Sequence, residues 1–207
     1  MSENYNLDFI KIYKQIRSKT KEEKPRLLLH VCCGACSCYP LIFLADLFDI
    51  TVLFTNSNID EYEEFITRFN AARKHASLVE KTCKTRIKFV KDEYNYDTFR
   101  EDLKQFPNEK EGGKRCKICI TKRLNRLFEY ADKNSFSYVS SIMSISRNKD
   151  AVYLNEAGKK LSERYENITF IPFDFKKNDG QDIGIEISKL EEIYRQDYCG
   201  CEFSKIS

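Results

Sequence analysis

The sequence lacks the features of exported and membrane-spanning proteins. Its first residues have neither the basic start nor the apolar centre of a signal peptide. No apolar run approaches the length needed to cross a bilayer, and neither internal repeats nor low-complexity segments are visible. Hydrophobic residues make up 42% and charged residues 32% of the 207, which fits a soluble globular chain rather than a disordered one. We therefore expect a cytoplasmic protein.

A large excess of charge is also missing. The formal net charge is +3, which is too small by itself to indicate a nucleic-acid partner. Between Gly112 and Phe128, however, six basic residues occur without any acidic one: Lys114, Arg115, Lys117, Lys122, Arg123 and Arg126. This segment suits contact with a phosphate backbone, and a solvated helix face explains it equally well.

Short apolar runs alternate with segments of helical periodicity along the whole chain. The predicted strands cover residues 26–31, 50–54, 86–90, 137–142 and 168–171. The predicted helices cover residues 37–48, 60–80, 96–105, 151–165 and 183–194, with another that begins at or just after the Cys116-x-x-Cys119 motif. This alternation predicts an α/β fold with a parallel sheet and helices on both faces. We expect one domain over residues 1–207, with a helical N-terminal extension over residues 1–24.

Ligands of such sheets bind beyond the carboxyl ends of the strands. Cys32 and Cys33 directly follow the first predicted strand. Polar loops after three other strands should open on the same rim: Asn56 and Asn58, then Ser144, Ser146 and Arg147, then Asp174. The sequence therefore predicts a site at the carboxyl ends of the strands.

Nine cysteines are many for a chain without an export signal. In a reducing compartment, such clusters more often bind metal or perform redox chemistry than form structural disulfides. Cys116-x-x-Cys119 places two thiols one turn apart at a helix start, where the helix dipole favours the thiolate. A thioredoxin-like dithiol and half of a zinc knuckle are the alternatives to ligation of a shared metal centre.

Two further motifs supply four more thiols. Cys32-Cys33 could reach one metal centre because Gly34 breaks the strand, although a pair of buried small apolar residues is the alternative. Cys199-Gly200-Cys201 brings two thiols within reach of one metal. A disordered tail is the alternative for this last motif, and three nearby aromatic residues argue against it: Tyr194, Tyr198 and Phe203.

These six thiols are more than one metal centre needs. A four-iron cluster or a structural zinc takes four ligands, so two thiols remain for a second metal or for an electron-transferring dithiol. Cys36 is a further candidate, whereas Cys38 and Cys83 are expected to be packed. His30 is expected in the core and His75 on the surface. Tyr198 and Phe203 could stack on an extruded base, with core packing as the default.

Several of these motifs occur in one order along the chain: Leu29-His30-Val31-Cys32-Cys33 with Cys36, Asn56-Ser57-Asn58-Ile59, Glu111-Gly112-Gly113-Lys114-Arg115-Cys116-x-x-Cys119, Ser146-Arg147-Asn148-Lys149, Asp174-Phe175-Lys176-Lys177, and Tyr194-Arg195-Gln196-Asp197-Tyr198-Cys199-Gly200-Cys201. In this pattern the chain resembles the QueH-type epoxyqueuosine reductases. It departs from them at Cys32-Cys33-Gly34-Ala35-Cys36, where the family usually has Cys-Cys-Ala-Pro-Cys, and at Asp60-Glu61, where His-Pro is common.

The resemblance implies an oxidoreductase that reduces the epoxide of epoxyqueuosine, at the wobble position of tRNA, to queuosine. This is the last step of queuosine biosynthesis, here without cobalamin, on a HUP-type, Rossmann-like domain. By the family pattern Cys32, Cys33, Cys116 and Cys119 would hold a 4Fe-4S cluster.

The remaining roles follow from the same resemblance. Cys199 with Cys201 would form a redox pair or bind a second, mononuclear iron. Asp174 is the first candidate for an aspartate ligand of that iron and Asp97 the second, and Tyr198 is a candidate proton donor. The expected partners are tRNA and an electron donor such as a ferredoxin or flavodoxin.

Two other functions stay open. A cluster-dependent tRNA thiolase that uses ATP would need a pyrophosphate loop after the first strand, where Cys32-Cys33-Gly34-Ala35-Cys36 stands. A zinc-stabilised tRNA-binding module is the non-catalytic alternative.

Overall fold

The computed structural model describes residues 4–20 and 23–205. The first helix, α1, covers Tyr5–Thr20, within the predicted N-terminal extension. Residues 1–3 and 21–22 of that extension lie outside the described residues. Among the helices of the described part, none has the length and apolar character that a bilayer crossing requires.

Five parallel strands form one sheet in the order β3-β2-β1-β4-β5. Their bounds are Arg26–His30 for β1, Asp49–Phe54 for β2, Lys88–Lys91 for β3, Tyr138–Ser141 for β4 and Thr169–Phe170 for β5. Leu28 of β1 pairs with Thr51 of β2 on one side and with Val139 of β4 on the other. The prediction of a parallel sheet is confirmed.

In the described part of the chain, six helices follow α1 and cover both faces of the sheet: α2 (Gly34–Ala45), α3 (Tyr62–Thr82), α4 (Tyr96–Arg100), α5 (Lys114–Lys133), α6 (Ala151–Ser162) and α7 (Gly180–Leu190). Leu27 and Leu29 of β1 join the core beneath α1, α2 and α3, whereas Leu28 joins the core beneath α5 and α6. Neighbouring side chains of a strand point to opposite faces, so one apolar strand supports both layers. Each of these leucines is fully buried, which stabilises the fold by about 1.5–3 kcal/mol per side chain.

Most predicted helix bounds differ from the structure by a few residues: α2 begins and ends three residues earlier than predicted, α3 begins and ends two residues later, and α6 ends at Ser162 instead of residue 165. Helix α5 begins at Lys114, before the Cys116-x-x-Cys119 motif, because Gly113 is its N-cap. Helix α4 ends at Arg100 instead of residue 105, and turns follow it. Helix α7 begins at Gly180, three residues earlier than predicted, and ends at Leu190.

The order of the strands reverses direction at β1. The chain passes from β1 to β2 and β3 on one side, then crosses to β4 and β5 on the other. Loops therefore diverge at the carboxyl ends of β1 and β4, which is where open α/β sheets bind their ligands. Cys32 and Cys33 follow β1 at this point, and a 3-10 turn of Ile142–Ile145 follows β4.

The two histidines are both fully buried. The core position predicted for His30 is confirmed: its ring nitrogens lie 2.9 Å from Ser141 Oγ and 3.3 Å from the Thr55 carbonyl oxygen. The surface position predicted for His75 is wrong. The segment after α7 covers this face of α3, and His75 lies 2.6 Å from Glu191 Oε2.

Candidate metal centre

Three thiols converge at the carboxyl end of β1. The Sγ atoms of Cys32, Cys33 and Cys36 all lie within 4.8 Å of one another. Cys33 is the N-cap of α2, and its Sγ accepts a hydrogen bond from the Cys36 backbone N–H at 3.3 Å. A Cβ at Gly34 would lie 2.8 Å from atoms of Ala71, so a glycine lets α2 approach α3 closely. The cap and this close approach together fix the positions of the three thiols.

These neighbouring thiols have very different acidities. Hydrogen bonding from the Cys33 and Cys36 thiols holds the pKa of Cys32 well below its usual value. Burial raises the pKa of Cys33, and the hydrogen bond to Cys32 is the first cause of the raised pKa of Cys36. The Cys32 thiolate is therefore favoured, whereas ionisation of Cys33 and Cys36 is disfavoured. A bound metal cation would remove this conflict, because it stabilises all three as thiolates.

The second pair of thiols lies on the first turns of α5. The Gly112 backbone N–H donates to Cys116 Sγ at 3.2 Å. Burial raises the pKa of Cys119 to about 11, while nearby Arg123 and Lys149 oppose the rise. Arg123 also lowers the pKa of Cys32. The buried guanidinium of Arg123 therefore acts to lower the pKa of a thiol in each of the two groups.

The C-terminal thiols face the α5 pair. Cys199 and Cys201 both contribute to the raised pKa of Cys119, and Cys116 contributes to that of Cys201, after burial. Lys149 Nζ donates to Cys199 Sγ at 2.7 Å. Cys199 also lines one cavity with Cys32, Cys33 and Cys36, so seven of the nine cysteines lie in one region. Among the described residues, only Cys32, Cys33 and Cys36 form an all-cysteine group within 4.8 Å, and the predicted set of Cys32, Cys33, Cys116 and Cys119 does not.

The segment that carries Cys199 and Cys201 is held by specific contacts. Arg68 of α3 donates to the carbonyl oxygens of Cys199 at 3.0 Å and Tyr198 at 3.2 Å, and its guanidinium lies 4.9 Å from the Tyr198 ring centroid. The Asp60 backbone N–H donates to the Gly200 carbonyl oxygen at 2.8 Å. These contacts give the tail a defined conformation over the thiols of β1.

Two buried cations lie among the thiols without a carboxylate. Arg123 is 2% and Lys149 is 8% exposed. Their side-chain partners are amide and thiol groups: Arg123 donates to Asn56 Oδ1, and Lys149 donates to Cys199 Sγ. Within residues 4–20 and 23–205, neither forms an ion pair with Asp or Glu, and Arg123 Nε has no partner. Buried cations are costly unless negative charge balances them, and metal-bound thiolates would supply that charge.

A cavity of about 40 Å³ lies within the cysteine group. Gln196 is one of its walls and donates to Cys33 Sγ at 2.9 Å. The other walls include four cysteines, both cations and two buried asparagines: Cys32, Cys33, Cys36, Cys199, Arg123, Lys149, Asn56 and Asn58. A space of this size takes a small inorganic group or water and excludes a nucleoside.

Three predicted residues lie away from these thiols or are engaged elsewhere. Asp174 Oδ1 accepts from the Lys176 backbone N–H at 3.2 Å, and the Asp174 backbone pairs with the Asn6 amide. Asp97 lies in the first turn of α4. Tyr198 donates to Asp60 Oδ1 at 3.1 Å, and burial together with this bond raises its pKa. The ligand roles of both aspartates and the proton-donor role of Tyr198 stay predictions.

Most basic side chains of α5 are buried or paired with carboxylates of the same protein. Arg115 and Arg123 are buried. Arg126 forms two hydrogen bonds to Asp92 at 2.6 and 2.7 Å, and Lys122 lies 2.5 Å from Asp102 Oδ2. Of the six basic residues, Lys114 and Lys117 have exposed side chains with no carboxylate partner in the described part of the chain.

Both aromatic rings of the C-terminal segment are covered by arginines. Arg68 lies over Tyr198, and the Arg115 guanidinium lies 4.3 Å from the Phe203 ring centroid. These contacts favour packing, the default expectation, over stacking of either ring on a base.

The sequence predicted no role at the thiols for four side chains: Arg68, Arg123, Lys149 and Gln196. Lys149 and Gln196 stand within the motifs that carry the resemblance, and Arg123 stands in the basic segment. Arg123 had a usable signal, because it follows Cys116 and Cys119 by seven and four residues and so shares their helix face. Arg68 had none, since its partners are 130 and 131 residues away in the sequence.

Comparison with known proteins finds one family over most of the chain. A family model described as epoxyqueuosine reductase QueH matches residues 27–207. A protein of that name from Streptococcus pyogenes serotype M1 is 31% identical over 206 residues, covering 99% of this chain and 80% of the relative. The protein of that name from Acinetobacter baylyi is 34% identical over 191 residues, covering 92% of this chain and 85% of the relative.

Proposed function

This chain belongs to the epoxyqueuosine reductase QueH family, and we propose that it is an oxidoreductase that reduces epoxyqueuosine in tRNA to queuosine. The observation that carries the proposal is the gathering of seven thiols with two buried cations at the switch point of the sheet. In the reaction two electrons and two protons enter, both C–O bonds of the epoxide break, a C=C bond forms, and the oxygen leaves as water.

The donor set fits an iron–sulfur centre. We assign Cys32, Cys33, Cys116 and Cys119 to a 4Fe-4S cluster, and Cys199 with Cys201 to a redox pair or a second, mononuclear iron. Iron centres of this kind supply single electrons and, at an open position, a Lewis acid that polarises a C–O bond. The uncompensated charges of Arg123 and Lys149 support the assignment, because thiolate-bound iron carries net negative charge.

The protein's own residues would position this chemistry and keep it dry. Lys149 holds Cys199 by a charge-assisted hydrogen bond, and Gln196 holds Cys33. Arg68 fixes the backbone at Tyr198 and Cys199 through their carbonyl oxygens. The cavity among the thiols is small enough to limit the water beside the centre to a few molecules, which favours electron transfer to substrate over side reactions.

Two proton sources are open to the reaction. Tyr198 is our candidate donor, because its hydroxyl is protonated at neutral pH. Burial and the hydrogen bond to Asp60 raise its pKa, which opposes release of that proton in the free protein. The second proton would come from solvent. The physiological electrons would come from a low-potential carrier such as a ferredoxin or flavodoxin, in the cytoplasm.

Turnover tests the proposal directly. The protein is purified without oxygen and incubated with a chemical reductant and tRNA that carries epoxyqueuosine, and the digested nucleosides are then separated. We expect queuosine to replace epoxyqueuosine. Persistence of epoxyqueuosine, while an established reductase converts the same tRNA, would contradict the proposal. A colourless protein with zinc and no iron would favour the tRNA-binding module instead.

The division of the thiols is tested by two alanine variants. Cys116→Ala should lose the cluster absorption, whereas Cys201→Ala should keep most of it and lose turnover. Loss of the absorption in both would contradict the division. Iron and sulfide analysis of both variants, beside Cys83→Ala as a cysteine outside the centre, completes the comparison.

A further inference from the structure

A second and larger cavity lies beside the cysteine group. It has a volume of about 430 Å³ and opens to solvent. Its walls come from the start of α2, the loop after β4, one face of α7 and the segment after α7: Ala35, Cys36, Ile145, Ser146, Arg147, Asn148, Gln181, Ile185, Arg195 and Gln196. We call it the α2/α7 cavity. Its volume lies in the range of about 300–1,000 Å³ that is typical of small-molecule sites.

The two cavities share a wall. Cys36, Ser146 and Gln196 line both the α2/α7 cavity and the small cavity among the thiols. A ligand in the larger space therefore contacts residues that touch the redox centre directly. The smaller space cannot hold a nucleoside. Two other cavities each share one residue with it, Arg123 or Lys149, whereas the α2/α7 cavity shares three, which favours approach of a nucleoside from this side.

The lining matches a polyhydroxylated, anionic ligand. Ile145 and Ile185 supply apolar surface for a ring. Ser146, Asn148 and Gln181 line the same cavity and supply hydroxyl and amide groups. Such groups can pair with the hydroxyls of a ligand.

Two arginines give the opening of the α2/α7 cavity a positive charge, which suits an anionic ligand. Arg147 and Arg195 line the cavity, and both are exposed. Arg195 Nη1 donates to Ser188 Oγ of α7 at 3.0 Å, which leaves other guanidinium N–H groups free for a ligand. In the described part of the chain neither arginine pairs with a carboxylate. Two such guanidinium groups suit phosphates on either side of an inserted nucleoside.

We propose that the α2/α7 cavity binds the modified nucleoside of the tRNA, with its hydroxylated ring toward Cys36 and Gln196 and its flanking phosphates on Arg147 and Arg195. This inference rests on the proposed function. It identifies the binding site of the substrate and two residues that hold the RNA backbone.

Filling the cavity tests the binding site. Ile185→Trp places an indole in the cavity, and Ile183→Trp is the matched control because Ile183 lies on the exposed face of the same helix, 42% exposed. Both variants should keep the iron content and absorption of the parent. Ile185→Trp should lose at least about tenfold in kcat/KM for epoxyqueuosine tRNA, the scale of one lost contact of about 1.4 kcal/mol, whereas Ile183→Trp should stay within about twofold.

The phosphate contacts are tested by RNA binding at several salt concentrations. Arg147→Ala and Arg195→Ala should each weaken binding of an anticodon stem-loop and reduce the slope of log affinity against log salt by about 0.7, the value for one single-strand phosphate contact. Arg164→Ala, an exposed arginine after α6, should change neither the affinity nor the slope.

The two levels of the proposal fail differently. If the parent protein with intact iron does not convert epoxyqueuosine, the proposed function fails and the cavity assignment fails with it. If the parent is active but Ile185→Trp is as active as Ile183→Trp, the cavity is not the substrate site. Unchanged salt slopes in both arginine variants would overturn their assignment to phosphates.

Discussion

Gly200→Ala should disrupt the conformation of the segment that carries Cys199 and Cys201. Gly200 has a φ of +117°, in the region that side chains rarely adopt, and it lies between Cys199 and Cys201. An alanine Cβ there would lie 3.0 Å from Arg68 Nη1 and from Ile59 Cγ1. Arg68 holds this segment against α3 through the carbonyl oxygens of Tyr198 and Cys199, so Gly200→Ala strains the backbone and also displaces that support.

Gly112 offers a matched control for this change. It also has a positive φ, +87°, and it also contacts a cysteine of the centre, but an added Cβ would meet no atom within 4 Å. Backbone strain costs about 1–3 kcal/mol in either variant. Overpacking adds about 1–3 kcal/mol at Gly200 alone. Gly200→Ala should therefore destabilise the protein by about 1–3 kcal/mol more than Gly112→Ala.

Thermal unfolding of the two anaerobic holoproteins measures this difference. In a chain of 150–250 residues, each kcal/mol lowers the Tm by about 2–4 °C, so Gly200→Ala should melt at least about 2 °C below Gly112→Ala. Turnover should fall further in Gly200→Ala, because Cys199 moves from Lys149. Equal Tm values and equal activities in the two variants would refute the reasoning from the Cβ contacts.

Three further predictions concern buried charged and polar groups. Arg123→Met should lower the iron retained on dialysis, since it removes a cation beside thiols of both groups; unchanged retention would show that its charge does not matter. His75→Phe should cost about 1–3 kcal/mol in urea unfolding, because it leaves Glu191 without its partner, and a loss below about 0.5 kcal/mol would contradict that account. Burial opposes ionisation of Asp92, but hydrogen bonds from Arg126 lower its pKa below the ordinary value of 3.8. The Asp92–Arg126 pair therefore stabilises the fold above pH 3.8, and this stabilisation is lost as pH falls through the lower pKa of the folded protein. The difference in unfolding free energy between the parent and Asp92→Asn should therefore shrink below pH 3.8. A difference that grows below pH 3.8 would contradict a lowered pKa of Asp92 in the folded protein.

The sequence predicted the architecture well because the elements are encoded locally. The apolar run Leu27, Leu28 and Leu29 has no polar alternation, which is the pattern of a strand buried on both faces, and the structure covers both faces of β1. Bounds such as the start of α5 were less accurate, because a glycine N-cap leaves little signal when charged residues surround it.

The cysteine motifs and their meeting point were also set by the sequence, through spacing and through their place after strands. What only the tertiary structure decided was which other groups join them. Arg68 reaches the Cys199 carbonyl oxygen across 131 residues of sequence, and Lys149 and Gln196 reach thiols across 50 and 163 residues. No local pattern encodes such contacts.

Burial and charge pairing depend on packing in the same way. His75 has the local sequence of a surface residue and becomes buried because the segment after α7 lies over α3. The basic run of α5 has the sequence of a phosphate site, yet Arg126 and Lys122 are neutralised by Asp92 and Asp102 from other segments. The sequence alone determined which thiols are available and at which rim of the sheet they lie. The tertiary structure decided which cations, amides and cavities surround them, because those neighbours come together only when distant segments pack.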